Sequence, residues 1–422
     1  MNNLYNQKHY ALLYKNMTGR HLHTKIDLLN DNDVKVDSFE NIILSGHINL
    51  SNENSYRRTG SLSVKLESNL LPKPDSKIWF NKRIKPYVGL SDWKDEIYWY
   101  DMGKFAVNKV SAKNSISEEI LDINLLDYIA FLDGTLSGYL SHETNLTVKS
   151  GVKVNEAIRA SVENLSNVLI EDFKIEGLDA IIPHDMTFNP NGTVLDIVNQ
   201  LTGLYMSQEF FFDTNGIFRV GRIKDRRFDP IAWDFTEDNM DLSIDYVNEI
   251  NMSNIKNSVW VWGNFNKNNG LQVYWVYRNR WARNNYSDLS NLSDKQKGDI
   301  CHIATENNSY MWNGFDWELL DFKVVPIFNI ENIGEKIWTH SDSKIFTEQQ
   351  ARLRSEYELQ QTSNFAETIS FSCAPIYLLG TNQKIRIKNY ETGINGDYLI
   401  KQASHDPSID GVSNIQACKI YY

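Results

Sequence analysis

The sequence predicts a β-rich α+β fold with several domains, and three observations carry this prediction. Residues 1–130 read as a series of short strands, in which segments such as 61–67 alternate apolar and polar side chains with a period of two. Helical apolar stripes are confined to three later segments, 154–165, 194–204 and 346–362. The length of 422 residues exceeds that of one ordinary domain. We therefore expect two antiparallel β-barrel or β-sandwich domains, a small α+β domain and a tryptophan-rich β insertion.

The N-terminal region supplies the strands of the first barrel or sandwich. Its strand segments are expected at 42–48, 61–67, 77–90, 97–100, 103–107 and 119–124. The segment 125–132 that follows is apolar and turn-like or helical. Many short strands with few helices favour an antiparallel domain, which we place at 1–132.

The middle of the chain, 133–257, reads as a helix-containing α+β region. Its first helix gathers its apolar residues on one face, and Thr193 is suited to cap the N-terminus of the second helix. A hairpin is expected at 209–223, because Asn215-Gly216 is a strong turn signal between two strand segments.

The C-terminal part combines an aromatic insertion with a return to strands. A strand at 258–262 leads into 264–345, which holds five of the eleven tryptophans and begins with a turn-rich stretch. We predict a strand plus an inserted β module at 258–345, followed at 346–422 by a helix and C-terminal strands that complete the second barrel. Since strand-rich segments open and close the chain, the barrels are expected to be partly discontinuous in sequence.

Charge and cysteine content exclude several functional classes. The formal net charge is −11 and no run of five like charges occurs, which argues against tight binding to duplex DNA or to an anionic membrane.

The three cysteines, Cys301, Cys373 and Cys418, include no CxxC pair, so a disulfide framework and a thiolate zinc cluster are disfavoured. Residues 1–14 lack the apolar core of a signal peptide, and no apolar run is long enough for a membrane span. We expect a protein that folds in a reducing cytoplasm.

Metal-binding motifs are incomplete. His21 and His23 lie two residues apart and, with His9, could hold a metal ion, but no carboxylate pattern completes the site. The segment 30–33 opens like a calcium-binding loop, yet the Gly and Glu that an EF-hand requires at its sixth and twelfth positions are absent. A hairpin tip is the better interpretation of this segment, and we predict no metal and no cofactor.

Catalytic motifs are similarly weak, so we predict that the chain is not an enzyme. The residues at 340–342 have the types of a catalytic triad, but triads are assembled across a fold and not from adjacent positions. Cys301 and His302 would point to opposite faces of a strand. No P-loop, GxGxxG or GxSxG motif occurs, and sequence spacing identifies no pair of glycosidase carboxylates.

The aromatic stretch 310–317 has the form Tyr-x-Trp-x-Gly-x-x-Trp. An Asn-Gly pair between aromatic residues predicts a tight hairpin with cross-strand aromatic pairing. Tyr310, Trp312 and Trp317 are therefore candidate glycan-binding residues, since aromatic rings stack on the apolar faces of sugars. The alternative is that the same rings form the small core of the module.

An arginine pair, Arg57 and Arg58, enters a predicted strand in this acidic protein. Guanidinium groups bind carboxylates through two hydrogen bonds, so these residues are candidates for bridging carboxylates of a neighbouring subunit. The alternative is an exposed, charged strand end.

Several segments occur in an order that resembles a known family. They are 45–48 (SGHI), 57–64 (RRTGSLSV), 84–90 (IKPYVGL), 102–105 (MGKF), 122–128 (DINLLDY), 193–223 and 351–422. This order resembles the tail or baseplate hub proteins of bacteriophages, especially those that infect Gram-positive hosts. The stretch at 310–317 resembles a short element that recurs in phage tail proteins, whereas the rest of 264–345 has no place in the family pattern.

The resemblance implies an architecture and a set of partners. Such hubs are homotrimers in which each subunit contributes two tube-like β-barrel domains, so that six barrels meet the six-fold tail tube. The implied partners are the tail tube or a distal tail protein, the tape-measure protein, and tail-tip spike, knob or fibre proteins. DNA would pass through the lumen without sequence-specific binding. The expected location is the tail tip or baseplate of the virion, after assembly in the host cytoplasm and without membrane insertion by this chain.

Two other functions remain open at this stage. A carbohydrate-binding adsorption protein would recognise a host cell-wall glycan through the tryptophan-rich insertion. A peptidoglycan-cleaving enzyme is less well supported, because the sequence has no acid/base signature.

Overall fold

The computed structural model confirms a β-rich α+β chain with several sheets. It describes residues 10, 22–66, 70–73, 76–79, 82–92, 94–114, 119–140, 145–166, 173–205, 208–235, 243–265, 270–343, 345–363, 367–389, 394–408 and 411–422.

Short strands account for most of the regular structure, and four helices are described. The strands are β1 Leu22–Leu29, β2 Lys35–Glu40, β3 Ile43–Ser51, β4 Arg58–Lys65, β5 Arg83–Ser91, β6 Ile97–Asp101, β7 Phe105–Asn114, β8 Glu119–Leu126, β9 Leu146–Val148, β10 Phe173–Ile175, β11 Met186–Phe188, β12 Gln208–Phe212, β13 Phe218–Arg222, β14 Ile231–Phe235, β15 Ser243–Ile250, β16 Ser258–Phe265, β17 Gln272–Arg283, β18 Asp299–Ile303, β19 Asn308–Trp312, β20 Trp317–Leu319, β21 Ile337–Ser341, β22 Glu367–Cys373, β23 Lys384–Lys388, β24 Asn395–His405 and β25 Ser413–Lys419. The described helices are α1 Val154–Leu165, α2 Val194–Thr202, α3 Ile330–Ile333 and α4 Glu348–Ser363.

The strands form four sheets in the described part of the chain. The largest sheet has 14 strands, with the main order β15-β22-β25-β24-β3-β4-β8-β7-β5-β1-β2. A three-stranded sheet has the order β10-β13-β12, and β11 pairs with β9. The fourth sheet has six strands in the order β20-β19-β18-β17-β16-β21. Sheet neighbours such as β24 and β3 are therefore distant in sequence.

The chain divides into two compact units, and each is built from separate stretches. The first unit comprises Met1–Gly203, Gln208–Val247 and Ser370–Ala417, and the second comprises Leu204–Ser207, Asn248–Ile369 and Cys418–Tyr422. The predicted module at 258–345 lies within the second unit.

Strand β4 shows why the N-terminal region folds as a sheet. Its side chains alternate between the interior and the outer face, so Leu62 and Val64 are fully buried whereas Ser61 and Ser63 are partly exposed. It pairs antiparallel with β3 on one side and with β8 on the other. Complete burial of a leucine or valine side chain stabilises the fold by about 1.5–3 kcal/mol relative to an exposed position.

The predicted helices and hairpin of the middle region are present in the first unit. Helix α1 buries Val154, Ile158 and Val162, and α2 begins with a capping box between Thr193 and Asp196. Strands β12 and β13 pair antiparallel around the predicted Asn-Gly turn. Gly216 has a φ of 77°, a conformation in which the absence of a Cβ avoids strain.

The second unit packs α4 against its six-stranded sheet. A single core cluster unites Val259, Val261 and Tyr277 of the sheet with Ala351 and Leu359 of the helix. The domain prediction groups this helix with the C-terminal strands at 346–422. The helix lies in the second unit, and Ser370–Ala417 belong to the first. The helix has few apolar residues, so its sequence did not indicate which sheet it covers.

Candidate interaction surfaces

An open groove lies on the outer face of the large sheet in the first unit, with a volume of about 930 Å³. Adjacent strands supply the floor, because alternate residues of β3, β24 and β25 point away from the core. The floor residues include Asn49, Ser51, Gln402, Ser404, Asn414 and Gln416.

The groove is almost uncharged, and most of its exposed lining surface is apolar although many of the lining side chains carry a hydroxyl or an amide. Among the described residues that line it, Asp133 is the single carboxylate, and no Lys, Arg or His is present. The carboxylate of Asp133 accepts a hydrogen bond from the Tyr56 hydroxyl and one of 2.8 Å from the backbone N–H of Thr135. This lining can exchange hydrogen bonds with a polar surface, but it offers no cation for a phosphate and no acid/base pair for hydrolysis.

Sequence analysis did not identify this groove. Its strands come from both ends of the chain: Ser404 of β24 lies opposite Asn49 of β3, for example. The only local signal is the period of two, which places small polar residues on one face of each strand.

Arg58 lies in the interior of the first unit. Its Nη2 donates hydrogen bonds of 2.9 Å and 2.5 Å to the backbone carbonyl oxygens of Phe212 and Asp213. Gly103, with a φ of 106°, makes room for this side chain, because a Cβ there would lie 2.9 Å from the Arg58 Nε. Arg58 is only 6% exposed, and these contacts lie within the first unit. A role for Arg58 between subunits stays a prediction.

Arg57 lies beside it with partners in the same unit. Its Nη2 is 2.9 Å from Oε2 of Glu209, and its guanidinium carbon is 5.5 Å from the centre of the Phe211 ring. Its Nη1 also donates a 2.5 Å hydrogen bond to the backbone oxygen of Asn52. A role for Arg57 between subunits stays a prediction.

The carboxylate of Asp127 organises the backbone around this arginine pair. It accepts hydrogen bonds from the backbone N–H groups of Arg57, Arg58 and Ile129, at 2.8 Å, 3.2 Å and 2.9 Å. Burial raises the pKa of Asp127, and the positive charge of Arg58 and the three N–H donors oppose this effect.

A second ionic cluster, which the sequence did not reveal, is centred on Asp33. Its carboxylate accepts hydrogen bonds from Arg83 at 2.5 Å, from Lys104 at 2.6 Å and from the Tyr128 hydroxyl at 2.7 Å. Burial alone would raise the pKa of Asp33, but its contacts with Lys104 and Arg83 hold that pKa below the usual value. Asp33 belongs to the predicted hairpin tip, which is confirmed as the turn between β1 and β2.

The aromatic stretch forms the predicted hairpin in the second unit. Strands β19 and β20 pair antiparallel, and Trp312 lies opposite Trp317 with ring centres 5.6 Å apart. Tyr310 and Trp317 pack against a buried cluster that contains Trp281, and Lys295 lies 4.7 Å from the centre of the Trp312 ring. All three side chains are partly exposed, and a glycan-binding role for them stays a prediction.

The candidate metal ligands and nucleophiles of the sequence do not form a site among the described residues. His9 and His21 lie outside the described residues, and within the described ones no group of three or more His, Cys, Asp or Glu could hold a metal ion. Cys301 packs in an apolar cluster, and burial raises its thiol pKa to about 12, so the thiol stays protonated. His302 instead faces Ser309, with Nδ1 and Oγ 3.2 Å apart.

In the described parts of the chain, no helix is long and apolar enough to cross a membrane.

Comparison with known proteins completes the description. No family model and no curated protein matches this sequence.

Solved structures do match. The tail protein from Neisseria meningitidis MC58 aligns with a TM-score of 0.58 at 9% identity, over 94% of this chain and 96% of that chain. The 43 kDa tail protein of prophage MuSo2 from Shewanella oneidensis aligns with a TM-score of 0.55 at 9% identity, over 94% and 98% of the two chains. A chain of a PdpA–VgrG complex aligns with a TM-score of 0.50 at 11% identity, over 95% of this chain and 65% of that one. This chain therefore has the fold of phage tail proteins, which confirms at the level of fold the resemblance inferred from its sequence.

Proposed function

We propose that this chain is a structural, non-enzymatic virion protein of a phage tail tip or baseplate, where it acts as the hub that closes the tail tube. The observation that carries the proposal is the alignment of 94% of this chain with almost the whole length of two tail proteins. This likeness is one of fold, and the architectural role is inferred from it by analogy.

The hub is a homotrimer in this proposal. Three subunits that each present two similar β domains offer six docking positions, which adapts a six-fold tail tube to a three-fold tip. The partners are the tail tube or a distal tail protein above the hub, the tape-measure protein within it, and spike, knob or fibre proteins below it.

DNA passes the hub on ejection without being bound. The net charge of −11 supports this part of the proposal. A surface rich in Lys and Arg would retain the phosphates, because neutralised phosphates release counterions and binding becomes favourable.

Glycan binding through the aromatic hairpin is not carried into the proposal. The rings of Tyr310, Trp312 and Trp317 are engaged by protein groups, which favours a role in the core of the module.

The proposal is tested by light scattering of the full chain over a concentration series, with negative-stain images of the same samples. We expect a trimer, or a concentration-dependent shift towards one, and ring-shaped particles with a central hole. A cell-wall zymogram of the same protein should show no clearing. A monomer that binds cell-wall glycan, or a chain that clears the zymogram, would contradict the proposed function.

A further inference from the structure

The tip of the β19–β20 hairpin in the second unit places an Asn-Gly pair at the protein surface. Asn313 and Gly314 follow β19 directly, and Gly314 has a φ of 110°. A Cβ built on Gly314 would meet no described protein atom within 4 Å, and the next side chain, Phe315, is 93% exposed. Water therefore has access to the peptide bond that joins Asn313 to Gly314.

The side-chain carbonyl of Asn313 is polarised by two backbone donors. Its Oδ1 accepts a hydrogen bond of 2.9 Å from the N–H of Phe315 and another of 2.9 Å from the N–H of Asp316. Donors placed in this way stabilise the negative charge that develops on a carbonyl oxygen when a nucleophile attacks its carbon. The turn thus makes Cγ of Asn313 a better electrophile.

The backbone nitrogen of Gly314 is the nucleophile nearest to this carbon along the chain. No described group accepts a hydrogen bond from the Gly314 N–H, whereas the Asn313 N–H donates one of 3.1 Å to the backbone oxygen of Asp316. Attack of the Gly314 nitrogen on Cγ closes a five-membered ring within one chain, which needs no second molecule to be brought into place. Because glycine has no Cβ, no side chain hinders the approach.

We propose that Asn313 is a site of spontaneous deamidation that its own hairpin activates, with water as the co-reactant. In the first step the bond between the Gly314 nitrogen and Cγ forms, the bond between Cγ and Nδ2 breaks, and the proton of the Gly314 N–H leaves with Nδ2 as ammonia. In the second step water opens the cyclic imide. Addition of water at Cγ gives aspartate, and addition at the backbone carbonyl carbon of Asn313 gives isoaspartate. No atom is oxidised or reduced.

Three other Asn-Gly pairs lie in the described part of the chain, and their glycines are held differently. The Gly192 N–H donates a 3.0 Å hydrogen bond to the backbone oxygen of Asn189, and the Gly216 N–H donates one of 2.9 Å to that of Asp213. Gly396 lies within the β23–β24 ladder. Attack by these nitrogens would break a turn or a strand pairing, so the three pairs are internal controls with the same two residue types.

The reaction changes both the charge and the backbone of the hairpin tip. A carboxylate replaces a neutral amide, and isoaspartate adds one methylene to the chain between Trp312 and Gly314. We expect the turn bond from the Asn313 N–H to Asp316 to be lost, which loosens the pair of Trp312 and Trp317. The exposed tip of the second unit therefore changes with the age of the chain, and this inference is independent of the hub function proposed above.

The experiment ages the full chain at pH 8 in water labelled with heavy oxygen and follows its peptides by mass spectrometry. We expect the peptide with Asn313 to gain labelled oxygen, with isoaspartate among its products. Its conversion should be at least about tenfold faster than that of the pairs at 191–192, 215–216 and 395–396. In urea, where the turn contacts are lost, the four rates should converge. Equal rates in the folded chain, or a difference that persists in urea, overturns the proposal.

Two variants test the backbone donors separately. Phe315→Pro removes the N–H that binds Oδ1 of Asn313, whereas Phe315→Ala keeps this N–H and shortens only an exposed side chain. We expect Phe315→Pro to slow the conversion by at least about tenfold and Phe315→Ala to leave it unchanged. Asn313→Gln is the negative control, because its side chain would have to close a larger ring. Equal rates in the two Phe315 variants overturn the activation by the hairpin, and the comparison within the wild-type chain does not depend on how either variant folds.

Discussion

The guanidinium of Arg58 donates a 2.9 Å hydrogen bond to the backbone carbonyl oxygen of Phe212, 154 positions later in the chain. This contact ties β4 to the β12–β13 hairpin inside the first unit. The positive charge of the same guanidinium lowers the pKa of the buried Asp127 carboxylate and so opposes the effect of burial, which raises that pKa. One buried side chain therefore links a strand, a hairpin and the turn that follows β8.

Replacing Arg58 by Ala should reduce the free energy of unfolding by about 3–5 kcal/mol, because it leaves two buried carbonyl oxygens without their donor and removes the positive charge that stabilises the buried Asp127 carboxylate. Urea unfolding followed by tryptophan fluorescence measures this loss. Arg159→Ala is the control, since its pair with Glu163 on α1 is exposed and should contribute no more than about 1 kcal/mol. Equal losses of unfolding free energy in the two variants would contradict a larger stabilising contribution from the buried Arg58.

The cluster at Asp33 makes a second prediction. Asp33→Asn should lower the free energy of unfolding by about 2–3 kcal/mol at pH 7, because Arg83 and Lys104 lose a carboxylate that accepts their hydrogen bonds. Since the pKa of Asp33 is held below 3.8, the contribution is present above that pH and is lost as the pH falls through the lowered value.

Urea titrations at pH 7 and pH 3 measure both parts of this prediction. Asp31→Asn is the control, because Asp31 is exposed in the same turn. A difference between wild type and Asp33→Asn that does not shrink at pH 3 would contradict the assigned charge interactions.

Local patterns were sufficient to predict most elements. The alternation at 61–67 matches β4, the apolar stripe at 154–165 matches α1, and the Asn-Gly turn matches the β12–β13 hairpin. Each of these signals comes from residues that are neighbours in sequence, so periodicity and turn chemistry specify them.

Long-range relationships could not be predicted in this way. Nothing in the sequence near Arg58 indicates Phe212 as its partner, and the pairing of β24 with β3 joins the two ends of the chain. The sheet that helix α4 covers could not be predicted for a similar reason, because few apolar residues mark the face that the helix buries. The interaction surfaces depend on these long-range pairings, so they became visible only in the structure.

The capping box of α2 can be tested separately. Thr193→Ala should lower the free energy of unfolding by about 1 kcal/mol, because the Thr193 hydroxyl accepts a 3.2 Å hydrogen bond from the backbone N–H of Asp196. Thr193→Ser keeps this acceptor and should lose much less. Thermal unfolding of the three proteins measures the difference, and equal losses for Ala and Ser would argue against the cap.

The three cysteines should be unreactive in the folded chain. All three side chains are buried, and burial raises the thiol pKa of Cys301 and Cys373 to about 12. A colorimetric thiol reagent should therefore label none of them within minutes at pH 8, and should label three per chain in urea. Rapid labelling of any cysteine in the native protein would contradict its placement in the core.

His405 should make the stability of the protein depend on pH. The ring is buried, with Nδ1 2.7 Å from the Ser413 hydroxyl and Nε2 2.8 Å from the backbone oxygen of Leu379, and burial lowers its pKa to about 4. Below the ordinary histidine pKa of 6.5 the unfolded chain binds a proton that the folded chain does not, so stability falls as the pH drops from 6.5 towards 4. The loss of stability over this range should approach about 3 kcal/mol. The variant His405→Gln should remove this pH dependence, and it should lower the stability at pH 7.

Urea titrations between pH 4.5 and pH 7.5 measure this dependence, with His47→Gln as the exposed control on β3. An identical pH dependence in wild type and His405→Gln would exclude the buried imidazole as its cause.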